Sequence, residues 1–159
     1  MQVTVLAGGI GAARFLRGLV SATGSTHDKP SVTVIGNTGD DIRLFGLQIC
    51  PDLDSVMYTL GGGADEERGW GRANESFTVL EELRGYGAKP DWFGLGDRDI
   101  ATHLVRTQAL DAGYRLSTVT AGLCERWQLP VSLIPMTDDR VETHVVIDDP
   151  DTGQPAAIH

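Results

Sequence analysis

The chain has 159 residues, 41% of them hydrophobic, enough for one domain with a real core. A formal charge of −9 and a pI near 4.7 exclude a broad nucleic-acid-binding or anionic-membrane surface, but not a nucleotide held in a locally basic or metal-bearing site. No run reaches the roughly 18 apolar residues of a membrane span, and Met1 leads into strand residues rather than a signal peptide. Two cysteines, Cys50 and Cys124, make no disulfide framework, so a soluble cytoplasmic protein with reduced thiols is expected.

The apolar run Val3, Val5, Leu6 predicts a first strand that ends at Ala7-Gly8-Gly9-Ile10-Gly11. Ala12, Phe15, Leu16, Leu19 and Val20 follow at helical spacing, as an apolar face would. A strand, a glycine turn and a helix start form a phosphate cradle: glycines let the backbone approach closely, and the free N–H groups of the first helical turn attract anions. The dinucleotide fingerprint fits Gly9 and Gly11 but fails at Arg14, where a small residue is wanted. The second strand, Ser31 to Ile35, is followed by Gly36 and Asn37 rather than a ribose-binding acid, and no Gly-Lys-Ser/Thr occurs. Neither an NAD site nor a P-loop is present.

Ser21 to Pro30 reads as a polar loop with an exposed, idle His27. Parallel pairing of the first two strands would set Asn37-Thr38-Gly39-Asp40-Asp41 beside the glycine turn, because ligands in open parallel sheets sit outside the carboxyl ends of strands. There Asn37 and Thr38 offer hydrogen bonds, and Asp40 and Asp41 offer hard oxygens suited to magnesium or calcium. Leu44 to Cys50 reads as a short strand or extended segment. Pro51-Asp52-Leu53-Asp54 opens a helix to Leu60, with one aspartate capping it and Asp54 offered as a third carboxylate for a metal.

Gly61 to Gly63 begin a polar loop holding Asp65, Glu66, Glu67 and Arg68 and then Trp70, a residue suited either to stacking on a planar ligand or to plugging the loop onto the core. Asn74 is expected to cap a helix with Phe77, Leu80 and Leu83 inward, and Asp99 to cap the next, with Ile100, Leu104, Val105 and Leu110 inward. Thr102 and His103, beside Asp97 and Arg98, form a second polar cluster. Ser117 would cap a helix facing inward through Val119, Leu123 and Trp127. Val131 to Met136, Val141 to Ile147 (with His144) and Pro155 to His159 read as strands, the last two joined by a turn at Asp148 to Gly153. An end inside a hairpin gives the chain a truncated look.

The stretches VTVLAGGIGAARFLRG, NTGDD, GLQICPDLDSVMYTLGGGADEERGWG, PDWFGLGDRDIATHLVRTQAL and MTDDRVETHVVI cover nearly every residue from Val3 to Ile147. Together they resemble the N-terminal half of the 2-phospholactate transferases of coenzyme F-420 biosynthesis, and the actinobacterial phosphoenolpyruvate transferases in particular. The resemblance implies a Rossmann-like, three-layer α/β fold with a mostly parallel sheet. It also implies a magnesium-dependent homodimer that moves a phosphoenolpyruvyl or 2-phospholactyl group from a GMP-linked diphosphate donor to the ribityl hydroxyl of the deazaflavin Fo, releasing GMP. On this reading Gly8, Gly9, Gly11, Arg14 and Asn37 face the donor's phosphates, and Asp40, Asp41 and Asp54 serve catalysis by holding magnesium. Asp97, Arg98, Thr102 and His103 lie on the acceptor side. The family pattern runs well beyond residue 159, where much of the guanine pocket is expected. The rival reading is a Rossmann-like regulator that binds nucleotide sugars without catalysis; it shares the glycine turn but leaves the acidic loops and the GDRD-ATH stretch unexplained.

Overall fold

A computed structural model of the chain describes residues 1–23, 31–90, 92–148 and the backbone of 155–158. The expectations for His27 and for the turn at 149–153 lie outside the described residues.

Strand β1 (Gln2–Ala7) runs into helix α1 (Gly9–Thr23) and pairs in parallel with β2 (Ser31–Gly36), which pairs in parallel with β5 (Ser132–Pro135). The order β1-β2-β5 gives the mostly parallel Rossmann-like sheet that the sequence implies. Register sets Val3 beside Val32, Val5 beside Val34, and Val34 beside Leu133, so one face of the sheet is continuously apolar. Helices α1, α2 (Pro51–Leu60) and α5 (Leu116–Trp127) bury that face through Ala13, Leu16, Leu53, Val56, Met57 and Leu116, among others. The opposite face carries Thr4 and Ile134 and a Leu6 that is 78% exposed. Phe15, expected inward, lies on the outer side of α1 at 62% exposure, and Ala13 takes the buried position instead.

The stretch from Leu44 to Cys50, expected as a short strand or extended segment, belongs to a tight hairpin of β3 (Ile42–Leu44) and β4 (Leu47–Ile49). Phe45 and Gly46 both have positive φ, 52° and 78°, which is the two-residue turn that matches the twist of a hairpin. A phenylalanine in that conformation is unusual, which is why the turn does not show in the sequence. Helix α3 (Thr78–Gly85) and helix α4 (Asp97–Asp111) follow, and β6 (Val145–Asp148) pairs antiparallel with β7 (Pro155–Ile158) as the expected hairpin, although residues 141–144, His144 among them, precede the strand rather than belong to it.

Helix capping departs from the sequence reading in every case. Asn74 stands in the loop before α3 with φ 56°, and α3 is capped instead by Asp97, whose carboxylate accepts the N–H groups of Thr78 (3.1 Å) and Val79 (3.0 Å) and the Ser76 hydroxyl. Asp99 lies inside the first turn of α4, and Glu75 caps that helix by accepting the N–H groups of Arg98 (2.7 Å) and Asp99 (2.9 Å). Asp138 accepts the N–H and hydroxyl of Ser117, so it rather than Ser117 supplies the cap of α5. At α2 the cap position is Cys50, with no side-chain bond, leaving both Asp52 and Asp54 free for other partners. Carboxylates from elsewhere in the chain reach these helix starts, an arrangement local spacing rules do not describe.

The burial of α4 also differs. Leu104 and Val105 face outward, while Asp99, Thr102, His103, Arg106 and Thr107 are buried. This helix turns its polar side to the protein interior.

Candidate functional site

Parallel pairing of β1 with β2 brings the two loops at their carboxyl ends together, as the sequence predicts. Asn37 joins them. Its N–H donates to the Ala7 carbonyl (2.8 Å), its Oδ1 accepts the Gly39 N–H (3.0 Å), and its Nδ2 donates to Asp52 Oδ2 (2.8 Å) and Asp40 Oδ2 (3.3 Å). One amide thus holds two carboxylates from different elements side by side.

The glycine turn abuts this pair. A Cβ on Gly8 or on Gly9 would lie 3.3 Å from the Asp52 carboxylate, and Gly9 has φ +64°, so a side chain at that position would be both strained and crowded. Helix α1 starts at Gly9 with no acidic residue in its own first turn, and the space where a Gly11 side chain would sit is open. The first-turn N–H groups of that helix, which have no partner within the helix itself, lie at the rim formed by the glycine turn that Asp52 abuts. A phosphate there would gain from the helix start but be repelled by the carboxylates, a conflict that a divalent cation between them removes. Magnesium suits such a rim, because it binds through one or two carboxylates plus substrate phosphate oxygens rather than in an all-protein cage. Among the described residues no three His, Cys, Asp or Glu side chains converge on one point, so Asp40, Asp41 and Asp54 do not form the three-carboxylate group expected from the sequence.

Asp41 sits behind the rim. Burial raises its carboxyl to about 6, against the lowering effect of the Cys50 thiol and Arg106. Its Oδ1 and the hydroxyl of fully buried Thr38 have no hydrogen-bond partner, and both residues line a recess beside residues 138–142.

Asp54 is not at the rim. It is buried under α2, where Arg106 of α4 holds it with both terminal nitrogens, Nη1 to Oδ2 at 3.0 Å and Nη2 to Oδ1. Arg106 Nη1 also lies 3.1 Å from His103 Nδ1 and 3.4 Å from the Gln48 carbonyl of β4. Burial pushes His103 down to about 4, so its ring is neutral at pH 7 and its Nδ1 accepts from Arg106. For Arg106 itself burial is the largest single effect and acts to lower the pKa, but Asp54 together with Cys50 and Tyr58 shifts it upward overall. Asp41, Asp40 and Asp54 thus occupy three different environments; Asp52, assigned on sequence as a possible cap, is the carboxylate that reaches the turn.

The second polar cluster divides as well. Asp97 is committed to capping α3, and Arg98 is exposed with its carbonyl accepting from Arg72 (2.8 Å). Thr102 and His103 are buried. His103 lines a small recess with Tyr58, Asp99, Trp70 and Phe93. Desolvation raises Asp99 to about 6, against the lowering effect of the Tyr58 hydroxyl, which interacts with both Asp99 and Thr102. Trp70 closes over this recess rather than plugging the core. Arg14 points the other way from α1, its guanidinium beside Gly69, in a recess shared with Ile10 and Thr59.

Asp99 belongs with the acceptor-side cluster that the sequence suggests, whereas Arg106 and Tyr58 carry no site role there. The one available signal for Arg106 was its helical spacing from Asp99, Thr102 and His103, which gives α4 a polar face.

Comparison with known proteins adds a family. Residues 3–158 match the family described as 2-phospho-L-lactate transferase CofD. Among curated relatives, a phosphoenolpyruvate transferase from Thermobifida fusca (strain YX) is 66% identical over 153 residues, covering 94% of this chain and 48% of its own length. The phosphoenolpyruvate transferase of Streptomyces avermitilis is 64% identical over all of this chain and 48% of its own, and that of Mycobacterium avium (strain 104) is 56% identical over all of this chain and 52% of its own. The chain therefore spans about half the length of these relatives. Among solved structures, the protein BH3568 from Bacillus halodurans, a member of the upf0052 family, superimposes with a TM-score of 0.54 at 17% identity over 98% of this chain and 44% of that one, which shows a shared fold.

Proposed function

The chain belongs to the 2-phospho-L-lactate transferase CofD family, and on that footing we propose that it supplies the donor-phosphate and metal-binding side of a transferase in coenzyme F-420 biosynthesis. The ribityl hydroxyl oxygen of the deazaflavin Fo attacks the phosphorus that carries the three-carbon acid. The bond from that phosphorus to the GMP oxygen breaks, the hydroxyl proton is lost, and GMP leaves. The names of the relatives favour phosphoenolpyruvyl over 2-phospholactyl as the group moved.

The observation that carries this reading is the Asn37 amide bonded to both Asp40 and Asp52 against the Gly8-Gly9 turn. Asp40 and Asp52 would hold magnesium, and when bound the ion supplies positive charge to the donor's diphosphate. The first-turn N–H groups of α1, with Gly11 leaving room, bind a phosphate oxygen. Asn37 orients Asp52, and Asp41 lies behind the pair with one buried oxygen left without a hydrogen-bond partner. On the acceptor side, Thr102 and His103 stand with Asp99 and Tyr58 beside the aromatic wall of Trp70 and Phe93. The whole acts as a cytoplasmic homodimer, a state that sedimentation would read.

Two samples test this: the 159-residue chain, and the same chain extended to its relatives' length, each with Fo, magnesium and the GMP-linked donor. The expected result with the extended chain is a product whose mass exceeds that of Fo by the phosphorylated three-carbon group, together with one GMP per product. The mass also identifies the group. No product, and Fo fluorescence unchanged on mixing, would sink the transferase reading in favour of the regulator.

A further inference from the structure

The segment that carries Asp52 is gripped from behind by a helix that never reaches the site. Residues 48 to 54 run from β4 through Cys50 into the first turn of α2. Helix α4 holds both ends of that segment. At the β4 end, the Gln48 N–H donates to Thr107 Oγ1 (2.8 Å) and the Gln48 carbonyl accepts from Arg106 (3.4 Å). At the α2 end, Arg106 clamps Asp54 through both terminal nitrogens. The clamp is itself fixed: His103 accepts from Arg106, and Thr107 donates to the His103 carbonyl at 2.7 Å. Between the two grips lies Asp52, whose carboxylate meets Asn37 on one side and the glycine turn on the other.

A buried ion pair is no better for stability than a well-packed apolar pair of similar volume, so its presence here calls for another account. Arginine's planar fork fixes an opposing carboxylate in direction as well as distance, which an apolar contact or a lysine does not. Asp54 and Asp52 share the first turn of one short helix, so fixing the first fixes the second.

We propose that Arg106, with Thr107, is a positioning residue for the metal site: by locking Gln48 and Asp54 it sets where Asp52 stands, and so sets metal affinity without touching the metal. This rests on the assignment of Asp40 and Asp52 as magnesium ligands. Residues that orient a ligand from one shell out change metal affinity by roughly 10- to 100-fold, the scale expected here.

The test uses manganese as a spectroscopic stand-in for magnesium, titrated into the protein with GDP present and followed by the resonance of free ion. Arg106→Lys keeps the charge and removes the fork; Thr107→Val removes one grip on Gln48. The expected result is roughly tenfold weaker manganese binding for Arg106→Lys and a smaller loss for Thr107→Val, with circular dichroism unchanged. In an Asp52→Asn background, Arg106→Lys should weaken binding no further. If both variants melt at lower temperature yet bind manganese as the parent does, Arg106 is a structural residue only and the proposal is overturned. If Arg106→Lys does not fold, Thr107→Val decides by the same criterion. If the parent protein itself takes up no manganese with GDP, the assignment of the ligands falls and the proposal with it.

Discussion

Asp52 and Asp54 are two residues apart on the same helical turn, and they live in opposite surroundings. Asp52 is part-exposed, held by one neutral amide, and stands beside an open helix start. Asp54 is buried, held by a guanidinium, and faces the interior beside a neutral histidine. A carboxylate bonded only to an amide keeps most of its charge available to a ligand; one clamped by arginine has already spent it. The rim of this molecule is where charge is left unbalanced, and the interior is where it is matched.

The largest break in that contrast is expected at the interior. Arg106→Leu strands a buried Asp54 carboxylate and should cost about 3–5 kcal/mol in urea unfolding, whereas replacing both Arg106 and Asp54 by leucine should recover most of the loss. A single-variant cost below about 1 kcal/mol would show the pair is not matched as described. At the rim the effect should move from stability to activity. Asp52→Asn is expected to lower magnesium-dependent transfer by roughly 10- to 100-fold with the melting temperature unchanged, while Asp54→Asn lowers the melting temperature as well. Rates measured across a magnesium series separate the two.

Asp99 sharpens the contrast through pH. It titrates near 6 in the folded chain against 3.8 for an unperturbed carboxyl, because burial disfavours its charge. Between those values the folded state holds the extra proton, so the stability linked to Asp99 is complete at low pH and is lost as pH rises through about 6. Asp41 contributes with the same sign. His103 works oppositely: at about 4 when folded against 6.5, it removes stability as pH falls through that window. Asp99→Asn should therefore be more stable than the parent at pH 7, by on the order of 1–2 kcal/mol, with the difference vanishing near pH 4. Paired denaturant curves at the two pH values give this directly. The smallest effect belongs to the surface. Arg17 and Glu66 form an ion pair with side chains 47% and 75% exposed, and Glu66→Gln should change stability by less than about 0.5 kcal/mol in the same assay.

The rim was largely legible in the sequence and the interior was not, for a physical reason. Strand β1, the glycine turn and the start of α1 are specified by neighbours in the chain, and parallel pairing then places Asn37 and Asp40 with no further information. The choice between Asp52 and Asp54 is different in kind. Two residues apart on a helix lie about 200° apart, so one of them had to face inward, but only the partner helix decides which. Arg106, 52 residues further along, makes that decision. Hydrophobic patterning misled at α4 because it assigns the interior to Leu104 and Val105, whereas the interior here is wired with hydrogen bonds. Capping failed for the same reason: the residues that cap α3, α4 and α5 come from about twenty positions away.

That exchange of caps has a consequence for motion. Glu75, just before α3, closes the start of α4, and Asp97, at the start of α4, closes the start of α3. Neither helix can fray at its beginning without releasing the carboxylate that protects the other. The two N-termini should therefore open as a single unit, with the amides of Thr78, Val79, Arg98 and Asp99 exchanging their hydrogens at one common rate.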